Sequence, residues 1–257
     1  MRKLALAEAA KERPRTLVTS TLAKRILSGQ IVPGARLPTE AELADSLGVS
    51  RTALRESLRT LAGKGLIATR TRAGAVVQPS ANWNHLDPEL LAWREELEPD
   101  LDFVRGLTEA RQVIEPAAAA LAADRATGHD LGRIEDGFDA MRRADTGDIE
   151  ASVAADEAFH VAILAASHNP VFVNFGALIG SALRSSFRLT TSASDNFAAT
   201  LNIHGDVLEA IRMRRAADAR HLMSQLLDIA NRDLSKMTRR SLRTGSDGEL
   251  SAGAESA

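Results

Sequence analysis

The sequence predicts a mainly α protein in two parts: an N-terminal helix-turn-helix domain with a small β-hairpin wing, then an all-α antiparallel helical bundle. Three observations predict it. Leu37 to Gly65 reads as two short helices joined by a tight turn. Two short β-prone runs follow at once. From Leu101 to about Arg240 only helical patterns with short breaks recur, and no strand pattern does.

Residues 1–14 read as a mobile arm. Leu17 to Leu27 is a first helix with Leu22, Ile26 and Leu27 turned inward, ended by Ser28-Gly29-Gln30 and Pro33-Gly34. Thr39 with Glu42 three residues on is a capping box, each side chain satisfying a backbone donor at the start of the next helix. Leu43, Ala44 and Leu47 give that helix its apolar face, Gly48 stops it in a left-handed conformation, Val49 plugs the gap, and Ser50 caps the helix that follows. There Leu54, Leu58 and Leu61 recur at helical spacing, which sends Arg51, Thr52, Arg55 and Arg59 to the opposite side.

A helix with guanidinium groups near its N-terminus suits the major groove, where Arg pairs with guanine O6 and N7. The plainer alternative is a solvated face with three arginines. Leu66 to Arg70 and Ala75 to Gln78, around a turn ending in Gly74, form the wing and carry Arg70 and Arg72. Arg36, before the capping box, suits a phosphate. The DNA-binding domain is expected over residues 1–79. A linker and a short helix from about Asp87 to Glu96, around Leu90, Leu91 and Trp93, fill 80–98.

The bundle is expected over 99–242, with helices Leu101 to Ala123, Asp130 to Ala144, Ile149 to Ser167, Val171 to Thr190, Asp195 to Met213 and Ala216 to Thr238. The polar tail 243–257 is expected to be disordered. Three groups in the bundle could carry chemistry. Asp156 and His160 lie four apart, hence on one helical face, in a segment rich in Ala, Val, Ile and Phe. Burying both is costly unless something pairs with them; a divalent metal would, with His204 as a third ligand. A surface Asp–His hydrogen bond is the simpler alternative. Arg111 and Glu115, also four apart and next to Pro116, either form a simple helix salt bridge or leave Arg111 facing a pocket. Asn169 before Pro170 is either a helix C-cap or a ligand contact.

The net charge of −2 hides an asymmetry: residues 1–80 hold 14 Lys and Arg against 6 Asp and Glu, and the remainder 18 against 28. Phosphates attract the first and repel the second, so double-stranded DNA is assigned to the N-terminal domain. There is no cysteine, which excludes disulfides, thiolate zinc sites and cysteine nucleophiles. No apolar run approaches the ~20 residues of a membrane span and no signal-peptide pattern opens the chain, so a cytoplasmic protein with no membrane partner is expected.

Pro33-Gly34, Leu37-Pro38-Thr39-Glu40, Glu42-Leu43-Ala44, Val49-Ser50-Arg51, Leu54-Arg55-Glu56 and Gly65-Leu66 resemble the winged-helix domain of the GntR family of transcriptional regulators. The resemblance implies that Arg51 and Arg55 read an operator and that Gly74 lets the wing tip approach the minor groove. Many relatives of the fatty-acid-responsive subfamily carry Arg where this chain has Ala41. A contact from the first helix is then absent.

Arg111 with Glu115-Pro116, Asp156 with His160, Ala166-Ser167-His168-Asn169-Pro170 and His204 with Ala210-Ile211 resemble that subfamily's helical effector domain, the FCD domain. In its metal-binding members an Asp and three His hold a divalent ion whose open positions take an organic acid, and the Arg matching Arg111 pairs with the acid. Leu226 stands where the third His is expected, and His221 lies five residues early, rotated roughly 140° away. Asp156, His160 and His204 then form a three-ligand set for zinc or a similar ion. Asn82-Trp83-Asn84-His85-Leu86-Asp87 and Ser167-His168-Asn169-Pro170 look most similar to galactonate-responsive repressors of sugar-acid catabolism.

The expectation is a homodimeric repressor that a small organic acid releases from its operator. Its effector contacts would be Arg111, Glu115 and Asn169, and its DNA contacts Arg36, Thr39, Arg51, Thr52, Arg55, Arg59, Arg72 and Gly74. The alternatives are the same fold answering lactate, gluconate or an acyl derivative, a metal-dependent helical enzyme, and an architectural DNA-binding protein.

Overall fold

The computed structural model describes residues 14–70, 74–144, 148–189 and 193–252. The chain divides after Glu98 into two compact units, each considered by itself.

In the first unit α1 (Pro14–Leu27), α2 (Glu40–Leu47) and α3 (Arg51–Gly63) precede a hairpin of β1 (Ile67–Arg70) and β2 (Gly74–Val77). Leu22, Ile26, Leu54, Leu61 and Leu66 are fully buried in its core, and Leu27 and Val49 pack partly buried against them. The local signals act as their chemistry dictates. Thr39 and Glu42 form the reciprocal capping box, Gly48 ends α2 at φ +64°, and Ser50 accepts from Ala53 N to start α3. The strands pair antiparallel from Ile67 opposite Val77 to Arg70 opposite Gly74. The hairpin also has a third partner that alternation does not reveal. Leu37 N donates to Ala75 O at 2.9 Å, Val77 N to Ala35 O at 3.0 Å and Gly34 N to Val77 O at 2.9 Å, and Arg36 bridges Val76.

A 3₁₀ turn (Ser80–Asn82) leads to α4 (Pro88–Glu95), which Asp87 caps from outside rather than joins. The buried Lys64, at the end of α3, donates to Asp87 Oδ1 at 2.7 Å, pairs with Glu89 and lies 5.4 Å from the Trp93 ring centre. This ties α4 to the end of α3. Gly65 closes the approach: its φ is +77° and a Cβ there would sit 2.1 Å from Asn82 O.

The second unit holds α5 (Leu101–Arg125), α6 (Gly128–Arg143), α7 (Ile149–Ala166), α8 (Pro170–Val173), α9 (Gly176–Leu189), α10 (Ala193–Arg212) and α11 (Ala216–Ala252), with no strand among the described residues. α5 packs on α7, α9, α10 and α11; α7 also packs on α6 and α9. Three expectations change. The helix foreseen from Val171 to Thr190 is two, because α8 ends at Val173 and the chain turns through Asn174 and Phe175. α6 starts earlier, at Gly128, because Thr127 and Asp130 make a second capping box. α11 runs to Ala252, into the tail foreseen as disordered from 243; extending a formed helix needs no new nucleation.

Candidate functional site

On α3 the arginine stripe is real: Arg51, Thr52, Arg55 and Arg59 are exposed while Leu54, Ser57, Leu58 and Leu61 are buried. Arg55 Nε rests on Glu40 Oε2 at 2.6 Å and Arg59 on Glu56 at 2.6 Å, whereas Arg51 has no acidic partner among the described residues. Arg36 is exposed on the segment beside β2. Thr39 is exposed, but its hydroxyl is engaged in the capping box. Gly74 opens β2 with φ +74°, which favours glycine; Arg72 lies outside the described residues.

In the bundle the structure joins two groups that the sequence left separate. Arg111 and Glu115 on α5, Asp156 and His160 on α7, and His204 on α10 are all buried. Asp156 and His160 therefore do not form the surface pair. One ligand atom from each of Asp156, His160 and His204 lies within 4.8 Å of the others. His204 Nε2 is 2.9 Å and His160 Nε2 3.4 Å from the same Asp156 Oδ1, so both rings aim that nitrogen at one carboxylate. The far nitrogens are held from outside. His204 Nδ1 lies 2.9 Å from the Thr200 carbonyl, and His160 Nδ1 pairs with Glu115 Oε2. Glu115 Oε1 accepts from Arg111 Nε at 2.5 Å. Phe159, fully buried, stands edge-on to both imidazoles, with ring centres 5.6 and 5.1 Å away.

The electrostatics follow from this enclosure. Burial pushes the Glu115 carboxyl up, but Arg111 and His160 outweigh it and hold the group down to about 2. Burial acts likewise on Asp156, yet the two imidazoles keep it well below the usual carboxylate range. Burial also disfavours a charged His160, while Glu115 and Asp156 raise it to about 9. A carboxylate with two convergent Nε2 atoms, each ring anchored through Nδ1 by an oxygen, is the donor chemistry of a divalent-ion site. The residues fit such an ion.

Leu226 is a buried apolar side chain on α11, where the resemblance puts a third His. The exposed His221 lies in a separate cleft with Asp206, Glu209, Arg215, Asp218 and Leu222. Asn169 is not a C-cap: Ser167 ends α7, and Asn169 Oδ1 accepts from Val171 N at 3.0 Å to start α8. Its neighbour His168 pairs with Asp130 at 2.8 Å. Sequence reasoning missed two supports of the cluster. Thr200, four residues before His204, carried a helical-spacing signal. Gly137 carried none; a Cβ on it would meet Phe159 N at 2.8 Å, so α6 touches the α7 backbone beside His160.

A helix-turn-helix head with an arginine-lined α3, joined in one chain to a helical domain that encloses such a cluster, has the architecture of a DNA-binding transcriptional regulator with an effector domain. The comparisons agree. Residues 15–77 match bacterial regulatory proteins of the gntR family and residues 106–229 match the FCD domain. The chain belongs to the GntR family and carries an FCD effector domain.

Among curated relatives, the galactonate operon transcriptional repressor of Escherichia coli is 36% identical over 86% of this chain and 96% of its own. A putative L-lactate dehydrogenase operon regulatory protein of the same species is 30% identical over 79% of each. Among solved structures, that of Lar, which controls the expression of the Listeria monocytogenes agr system, superposes with TM-score 0.64 at 21% identity. It covers 88% of this chain and 99% of that one, and it supports the fold alone. No helix among the described residues is long and apolar enough to cross a membrane.

Proposed function

We propose that this protein is a cytoplasmic, homodimeric repressor of sugar-acid catabolism, released from its operator by a galactonate-like hydroxy acid bound in the helical domain. The observation that carries the effector class is the enclosed cluster itself. Arg111 Nε donates to Glu115, and its terminal nitrogens have no acceptor among the described residues. Two parallel N–H groups there suit a carboxylate. A zinc or similar ion on Asp156, His160 and His204 would supply positive charge and open positions for the acid and a neighbouring hydroxyl. With Leu226 in place of a third imidazole, one more position is left to the ligand. The relationship to the galactonate operon repressor supports this class of acid; the lactate-operon relative supports a second, smaller one.

On the DNA side, Arg51, Thr52 and Arg55 enter the major groove, Arg36 and Arg59 meet phosphate, and the wing with Arg72 and Gly74 lies on the minor groove. Thr39 acts by capping α2. Asn169 acts by capping α8.

Fluorescence anisotropy on DNA from upstream of the protein's own gene, at fixed salt, tests this with galactonate, gluconate and lactate, with and without zinc. Galactonate releases the DNA at lower concentration than lactate. Release by lactate alone selects the second acid, and specific binding that no acid releases sinks the effector assignment.

A further inference from the structure

The sequence places Glu115 beside Arg111 as a ligand contact, but the structure uses both of its oxygens inside the protein, one on Arg111 and one on His160. The two nitrogens of an imidazole lie across the ring from each other. Glu115 meets His160 at Nδ1, and Asp156 faces it at Nε2. Glu115 is therefore behind the ring rather than among the convergent donors, and it does not replace the imidazole that Leu226 removes. What it can do is choose the tautomer. An acceptor-only carboxylate at Nδ1 requires a proton there, which leaves the Nε2 lone pair pointing at the space beside Asp156. Arg111 fixes the carboxylate from the other oxygen, so α5 carries a two-residue brace whose last member orients a side chain on α7.

We infer that Glu115 is a positioning residue that holds His160 in the Nδ1–H tautomer and turns its Nε2 toward a divalent ion shared with Asp156 and His204, with Arg111 bracing Glu115 from behind. The inference rests on the metal reading of that trio. It matters more here than where a fourth protein ligand is present: with three ligands, misorienting one removes a third of the set. Outer partners of this kind change metal affinity by roughly 10- to 100-fold.

The test uses the full-length protein. Zinc affinity is measured by competition with a chromophoric chelator for wild type and Glu115→Gln, with operator binding in the absence of acid as the control for folding. Glu115→Gln is expected to weaken zinc binding about 10- to 100-fold and to leave operator binding unchanged. Long-range 1H–15N spectra of zinc-loaded wild type give a readout that needs no variant: His160 carries its proton on Nδ1. Zinc on Nδ1, or an undiminished affinity in Glu115→Gln, overturns the role of Glu115 while the trio stands as the metal site. If wild type binds no zinc, the metal reading falls, and this inference with it.

Discussion

Arg51 and Arg55 stand one turn apart on α3, yet their surroundings differ. Arg55 is held by Glu40, and Arg51 has no acidic neighbour among the described residues. Arg51 can meet a base edge without first losing an ion pair. Arg51→Ala is expected to lower operator affinity by roughly 1–3 kcal/mol and to relax preference at one base position, measured by anisotropy on a set of single-base operator variants. A second residue-level expectation concerns acid. The Thr127 hydroxyl and backbone N–H, with a smaller contribution from His168, hold the Asp130 carboxyl down to about 2, against an ordinary 3.8. A depressed carboxylate stabilises the fold above the unfolded value and loses that contribution as pH falls through the folded one. Thermal melts of wild type and Asp130→Asn should differ above pH ~4 and converge as pH approaches ~2.

At the scale of elements, the α6–α7 pair closes through a glycine. Gly137 lets α6 touch the backbone of α7 at Phe159, one residue before His160. If the trio holds zinc as proposed, Gly137→Ala is expected to push α7 outward, displace His160 and weaken zinc binding by roughly 10-fold or more. Circular dichroism and operator binding should change little, because the DNA-binding unit has its own core. Equal loss of operator binding would mean that the substitution unfolds the chain.

The elements legible in the sequence were those whose signals are local. Thr39, Glu42, Gly48 and Ser50 specify their turn within twelve residues, and the apolar spacing of α3 fixes which face carries the arginines. The break after Val173 was not legible, since Asn174-Phe175-Gly176 interrupts no apolar stripe. Within the site, Asp156 and His160 were found through their spacing on one helix. The Glu115–His160 pairing joins positions 45 apart in the chain, through a packing of α5 on α7 that no periodicity encodes. The same ignorance of partners turned Asn169 from an N-cap into a C-cap.

For the whole molecule, acid binding and DNA binding are linked if the acid favours a state with poor operator affinity. Linkage then requires the converse to the same degree. Saturating operator DNA should weaken acid binding by the factor through which the acid weakens DNA binding, measured by calorimetry with and without the duplex. Unequal factors would show that the protein measured is not in a single closed equilibrium. The charge division adds a condition on salt. Because the positive excess sits in residues 1–80, raising ionic strength should depress operator affinity steeply and acid affinity much less.

The strand-like segment from Gly34 to Leu37 couples the wing to the core of the first unit. The root of the wing is fastened on both sides of β2, by β1 on one side and on the other by Val77 N donating to Ala35 O and Leu37 N to Ala75 O, beside the fully buried Leu66. The segment reaches Ala75, one residue from the start of β2. Backbone amides at the root can exchange with deuterium only when the core of the first unit opens. Exchange at the root of the wing should therefore report the opening of the whole first unit.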